Sequence, residues 1–305
     1  MDIRFVYLFI SGLIGGIIAY QAGLPLPFLL GGVIGAAIFV LCYERDGREL
    51  PKLTRWVRLF GMAFIGTMIG SRFSPDLLGL LPQFWISILS VIAFIFVAHF
   101  GNYQILTRFG GYNKLDAYFA GLPGGIVDSI ALAEQAGADL RIVTAQHFIR
   151  IILVIISVPL LFLALKGSSV GSMGGESIAA ANYDALDVAV ISAIALTGLF
   201  AGRYLKIPVS HLMVPLLLAL GLSIVGLVEI NIPSWLQHLT QYTIGVSLGA
   251  QFSGISRQLL VRSLNMGFVI GCFMLGLAVG FASLLSDQVP ADFEVLFISF
   301  SAGGL

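Results

Sequence analysis

Eleven apolar runs separated by short polar turns leave this chain little choice of fold. They cover approximately residues 5–20, 25–42, 56–71, 84–106, 115–135, 142–165, 186–204, 208–228, 235–252, 264–285 and 293–305. A helix needs about 20 apolar residues to cross the hydrocarbon core, and fewer where it lies within protein. Backbone N–H and C=O groups in that core must pair internally, which restricts spanning structure to helices or closed barrels, and these lengths fit helices. Charged residues make up only 10% of the 305 residues and mean hydropathy is +0.99, against roughly 25% charge in a soluble domain. The expected fold class is an all-α polytopic membrane protein whose first partner is the lipid bilayer. Formal net charge is zero and Lys and Arg form no stripe or tail, so nucleic acid is not an expected partner. Cys42 and Cys272 match no metal or redox spacing and are expected to be packing residues. The opening "MDIRFVYLFISGLIGGIIAY" has no A-x-A-like site and leads straight into the next apolar run, so it reads as an uncleaved first helix.

The chain repeats itself. "IGTMIGSRFS" from Ile65 returns as "IGVSLGAQFS" from Ile244, aligning Gly66 with Gly245 and Gly70 with Gly249 at an offset of 179 residues. "LPGGI" at Leu122 returns at the same offset as "SAGGL" at Ser301, which sets Gly303 and Gly304 against Gly124 and Gly125. A weaker match, resting mainly on Pro25 and Pro208, joins "LPLPFLLGG" from Leu24 to "IPVSHLMVP" from Ile207. The Gly- and Ser-rich stretch 167–183 separates the halves as a linker, giving a first membrane repeat at 1–166 and a second at 184–305. The second half ends at the counterpart of Ile126, so about 40 residues of the first repeat have no counterpart, and a form extended by them is expected to be more stable.

Charge placement bears on orientation, because Lys and Arg concentrate in short cytoplasmic loops. The loop after the second run carries Arg45, Arg48, Lys52, Arg55 and Arg58, whereas its counterpart "EINIPS" has no basic residue. The turn "QAGLP" has none, but its counterpart has Arg203 and Lys206. Basic and non-basic loops therefore exchange between halves, as in inverted-topology repeats. Inversion needs an odd number of crossings per repeat, and run 115–135 is the one expected to re-enter: Pro123 removes a backbone donor while Gly124 and Gly125 weaken the helix at the same point. This arrangement puts the amino terminus in the cytoplasm.

Broken backbone at membrane depth is tolerated only where protein or a water-filled cavity satisfies it. The N-terminus of the second half-helix suits an anion, and Asp128, Ser129 and Glu134 add oxygens suited to Na⁺, H⁺ or a polar solute. On the following run Gln146, His147, Arg150 and Ser157 share one side, with Thr144 at its edge. Arg150 is deep enough to need a counter-ion, for which Asp128 and Glu134 are the candidates. An alternative gives Arg150 a purely structural role, neutralising one acid. His99, His211 and His238 stand singly and read as packing or interface residues. Gly-x-x-x-Gly spacings at Gly31/Gly35, Gly66/Gly70, Gly245/Gly249, Gly267/Gly271 and Gly276/Gly280 mark close helix approaches.

The stretch "GLPGGIVDSIALAEQAGADLRIVTAQHFIRIILVIISVPLL", Gly121 to Leu161, closely resembles the AbrB-type integral membrane family, which carries both an ammonia monooxygenase label and a link to regulation of gene expression. More distantly, the Pro-Gly-Gly break resembles that of the bile-acid symporter and cation-antiporter superfamily. That likeness implies inverted repeats, a panel or dimerisation domain, and a core domain with broken helices at the site. The dispersed histidines do not suit a copper or iron oxygenase, and no DNA-reading module is present. The resulting expectation is a non-enzymatic secondary transporter of a small polar or anionic solute in a bacterial inner membrane. Its coupling ion would be Na⁺ or H⁺, with no further cofactor; a homodimer is one assembly the likeness implies. The alternative is a membrane sensor that binds a ligand at the same site and affects expression indirectly. The expected site residues are Pro123, Gly124, Gly125, Asp128, Ser129, Glu134, Thr144, His147, Arg150, Gly303 and Gly304.

Overall fold

A computed structural model describes residues 3–24, 26–44, 55–73, 85–124, 126–166, 183–205, 209–227, 230–289 and 291–301. The linker 167–182 and the glycines Gly125, Gly303 and Gly304 lie outside these residues. The helices are α1 (Ile3–Gln21), α2 (Pro27–Tyr43), α3 (Arg55–Gly70), α4 (Trp85–Arg108), α5 (Lys114–Ala120) and α6 (Ile126–Ala136). They are followed by α7 (Leu140–Lys166), α8 (Ala185–Ala201), α9 (Ser210–Ile224), α10 (Ser234–Gly249), α11 (Arg257–Leu285) and α12 (Phe293–Phe300). Among the described residues there is no strand. Helices α1, α4 and α11 are long and apolar enough to cross a membrane, and α2, α3, α8 and α9 are shorter apolar helices. The chain is an all-α polytopic membrane protein.

Local chemistry sets several helix starts. Asn113 caps α5 by accepting from the Asp116 amide at 2.8 Å. Asp184 and Asp187 form a reciprocal capping box on α8, and Ser256 accepts from the Leu259 amide to start α11. Helices α2 and α9 begin differently. Leu26 (φ 47) and Val209 (φ 51) stand before them in the left-handed region with no side-chain cap. The two occupy equivalent places in the Pro25/Pro208 sequence match. Left-handed backbone is costly for a β-branched residue such as Val209, so the packing around it must hold the turn.

The helices gather into two compact units, one built from Met1–Leu78 and Phe162–Gly254, the other from Gly79–Leu161 and Ile255–Leu305. In the first unit, glycines set the helix contacts. A methyl added at Gly66 or Gly70 of α3 would collide with the carbonyl of Leu212 or Leu216 on α9. One added at Gly245 or Gly249 of α10 would meet the carbonyl of Leu29 or Val33 on α2. Gly31 and Gly35 of α2 bring it equally close to Gly15 and Ser11 of α1. Glu44, at the end of α2, accepts from Ser253 Oγ at 2.5 Å and the Gly254 amide at 2.7 Å, tying down the turn after α10. His238 packs its ring on Phe28 and Tyr20.

In the second unit α4, α5, α6, α11, α12 and most of α7 pack together. Gly267 of α11 closes on Ile149 of α7. Phe94, Phe281 and Phe300 form an aromatic cluster joining α4, α11 and α12. Two expectations are corrected. Nothing among the described residues lies within 4 Å of a methyl placed at Gly276 or Gly280, so that spacing marks no helix contact. Cys42 and Cys272 are exposed rather than packed inside, because each falls on an outward face of its helix.

Candidate functional site

The run 115–135 is divided as its glycines and proline suggest. α5 stops at Ala120 and α6 starts at Ile126, with Gly124 at φ 106 between them, a conformation that glycine adopts freely. The break exposes carbonyls at the end of α5, and three side chains from two other helices take them. Asn102 of α4 donates through Nδ2 to the Gly121 carbonyl at 3.0 Å, with Met274 Sδ 3.6 Å from the same nitrogen. His147 of α7 bonds through Nε2 to the Phe119 carbonyl at 2.9 Å, and Arg150 Nη1 donates to the Leu122 carbonyl at 2.6 Å. A carbonyl only accepts, so His147 carries its proton on Nε2. Its Nδ1 is then the acceptor facing Arg150 Nη2 at 3.3 Å. The pair is a neutral imidazole beside a guanidinium.

Arg150 is only 2% exposed. Nη1 and Nη2 face neutral acceptors, and Nε has no partner among the described residues. The negative end of α5 offsets part of the charge. Asn102 Oδ1 and Gln146 Oε1 are also buried without a partner among the described residues. Among the described residues this is a buried polar cluster at a helix break, carrying the Arg150 guanidinium.

The expected site residues fall into three groups. His147 and Arg150 converge on the end of α5. Ser129 is buried on α6 and its hydroxyl reaches back to the Gly124 carbonyl at 3.4 Å, while Pro123, Gly124 and Thr144 are partly buried. Glu134 is exposed, so it is not the counter-ion expected for Arg150; its place on α6 turns it away from the buried face that carries Ser129 and Ala133. Asp128 lies in the first turn of α6, with its side chain outside what the structure describes.

Sequence reasoning missed several polar residues that hold this region. Asn102 is fully buried in α4. Asp116 is also buried, accepting from Asn113 Nδ2 at 2.7 Å and from the Asp139 amide at 2.8 Å, which pins the turn before α7 to the start of α5. Arg262 of α11 donates to the Gly110 carbonyl and stacks at 4.2 Å on Tyr112, whose hydroxyl accepts from Gln146 Nε2 at 2.8 Å. The one available signal was their isolation: a lone Asn or Asp within an apolar run is costly unless paired.

The profile of the AbrB family, described as "Transition state regulatory protein AbrB", matches residues 28–305. The "Uncharacterized protein YhjN" of Bacillus subtilis (strain 168) is 24% identical over 95% of this chain and 80% of its own length. The "Putative regulator AbrB" of Escherichia coli (strain K12) is 24% identical over 92% of this chain and 79% of its own. No solved structure matches the chain.

Proposed function

Because the chain belongs to the AbrB family and carries a buried guanidinium at a broken helix, we propose that it is a secondary transporter of a small anionic solute. The observation that carries this reading is the Nε of Arg150, a buried donor without a protein partner among the described residues, on a guanidinium whose Nη1 is held by the Leu122 carbonyl. An anion about 4 Å from such a charge gains roughly 4 kcal/mol at an effective dielectric of 20. The amino end of α6 adds a second attraction across the same break. Asn102 and His147 keep the α5 carbonyls occupied, which leaves Arg150 as the group that meets solute.

Transport needs an element with two arrangements, and inverted repeats supply one. Three features support a repeat of this kind here. The α3 glycines close on α9 as the α10 glycines close on α2, and left-handed residues stand at equivalent places before α2 and α9. Each compact unit also draws matching stretches from both halves. Na⁺ or H⁺ is the coupling ion in this reading, and the protein performs no covalent chemistry.

The test is uptake of radiolabelled small carboxylates, sulfate and phosphate into liposomes holding the purified chain, with imposed Na⁺ or pH gradients. Flux of one anion class that follows a gradient supports transport. The regulator name of the Escherichia coli relative favours a second reading, a membrane sensor; saturable binding with no flux would select it.

A further inference from the structure

At one end of the first unit, the start of α3, the turn after α8 and the start of α9 line a cavity of about 510 Å³. Its walls include Trp56, Leu59, Arg203, Leu205, Ser210 and His211. The Arg203 guanidinium lies 4.1 Å from the centroid of the Trp56 ring and 5.2 Å from that of Phe200. The guanidinium carbon lies over aromatic rings, whose faces do not replace a carboxylate or carbonyl acceptor, so its N–H donors stay available. Among the described residues the Arg203 side chain makes no hydrogen bond or ion pair, and no carboxylate lines the cavity. Gly202 keeps the turn close, because a methyl there would press on His211 Nδ1 at 2.9 Å.

The cavity therefore has two characters. Arg203 and the Ser210 hydroxyl offer donors with no acid among the described lining residues, and the uncapped start of α9 adds positive potential. Leu59, Leu205 and the Trp56 ring form an apolar wall beside them. A ligand matching both is an amphiphile with an anionic head. We propose that this cavity binds the phosphate group of an anionic phospholipid. Arg203 is its fork-shaped donor and the apolar wall lies against the glycerol and first acyl carbons. The cavity shares no lining residue with the helix break, so the inference does not rest on the transport reading.

The test uses the full chain with Trp85→Phe and Trp235→Phe, leaving Trp56 as the only remaining one of its three tryptophans. Its fluorescence is followed in detergent as phosphatidylglycerol or phosphatidylcholine with brominated acyl chains is added. Phosphatidylglycerol is expected to quench at about tenfold lower concentration than phosphatidylcholine, as one charge-assisted fork contact implies. Arg203→Gln should abolish that preference and Arg203→Lys should keep part of it. Equal quenching by the two lipids in the Arg203 protein overturns the proposal even if the variants fail to fold. So does a preference that survives Arg203→Gln. Inorganic phosphate at millimolar concentration should leave quenching unchanged; full displacement by it would overturn the lipid assignment in favour of a free anion.

Discussion

Arg150 Nη1 donates to the carbonyl of Leu122 across 2.6 Å, joining the middle of α7 to the end of α5. A cation at a helix carboxyl end is favourable in itself. That contact fixes the guanidinium at the break without consuming its charge, since the carbonyl and the neutral His147 ring carry none. A carboxylate partner, which no described residue supplies, would have cancelled it.

Arg150→Met keeps the volume of the side chain and removes the charge. Leu122 and His147 each lose one hydrogen bond, a cost of about 1–3 kcal/mol that is partly offset because a buried charge no longer has to be accommodated. Thermal unfolding in detergent is therefore expected to shift by only a few degrees, while anion flux falls by several hundred-fold, the scale set by losing roughly 4 kcal/mol of attraction. Arg150→Lys should retain part of the flux. Unchanged flux in Arg150→Met would reduce Arg150 to a helix cap.

Asn102→Ala removes the donor to the Gly121 carbonyl and leaves that buried oxygen unpaired. The expected cost is about 1–3 kcal/mol of stability. Because Asn102 holds the backbone and not the solute in this reading, the anion concentration at half-maximal flux should move little in the protein that remains folded. A large rise in that concentration would instead place Asn102 Oδ1 against the solute.

The glycines give a contrast within one protein. Gly66→Ala and Gly245→Ala each push a methyl into a backbone carbonyl of a neighbouring helix, and carbonyls cannot move as side chains do. Overpacking of this kind costs about 1–3 kcal/mol. Gly276→Ala and Gly280→Ala meet open space and should be neutral or slightly stabilising, since alanine is the better helix former. Melting temperatures of the four variants, measured together, check the ordering.

The helix break and its buried cation were legible from sequence because each violates its surroundings: Pro123 and Gly124 in an apolar helix, Arg150 among Ile and Leu. The partner of Arg150 was not. Periodicity tells which side of α7 bears Arg150, but the acceptor is the main-chain carbonyl of Leu122 in the break after α5, and main-chain atoms leave no trace in residue identity. Asn102 and Asp116 escaped for a related reason, since each contributes a single bond to backbone and belongs to no spaced motif. Gly276 and Gly280 show the opposite failure. A small-residue spacing describes one surface and says nothing of whether a second helix lies against it.

Reciprocal glycine contacts raise a prediction about orientation. If the two repeats are inverted, the loop after α2 and the turn before α11 belong to the same side of the membrane, although loops that match in sequence lie on opposite sides. Cys42 and Cys272 are exposed, so they are replaced by Ser to give a background without thiols. Single cysteines at Arg48 and Arg257 should then both label from the cytoplasmic side with an impermeant maleimide, where basic residues concentrate. A cysteine at Arg72 should label from the other side, and one at Gln251, its counterpart at the 179-residue offset, from the cytoplasmic side. Labelling of Arg48 and Arg257 from opposite faces would mean that the repeats are parallel. The reciprocal contacts of α3 with α9 and of α10 with α2 would then reflect a twofold axis along the membrane normal, and the transport reading would lose the inverted repeats it draws on.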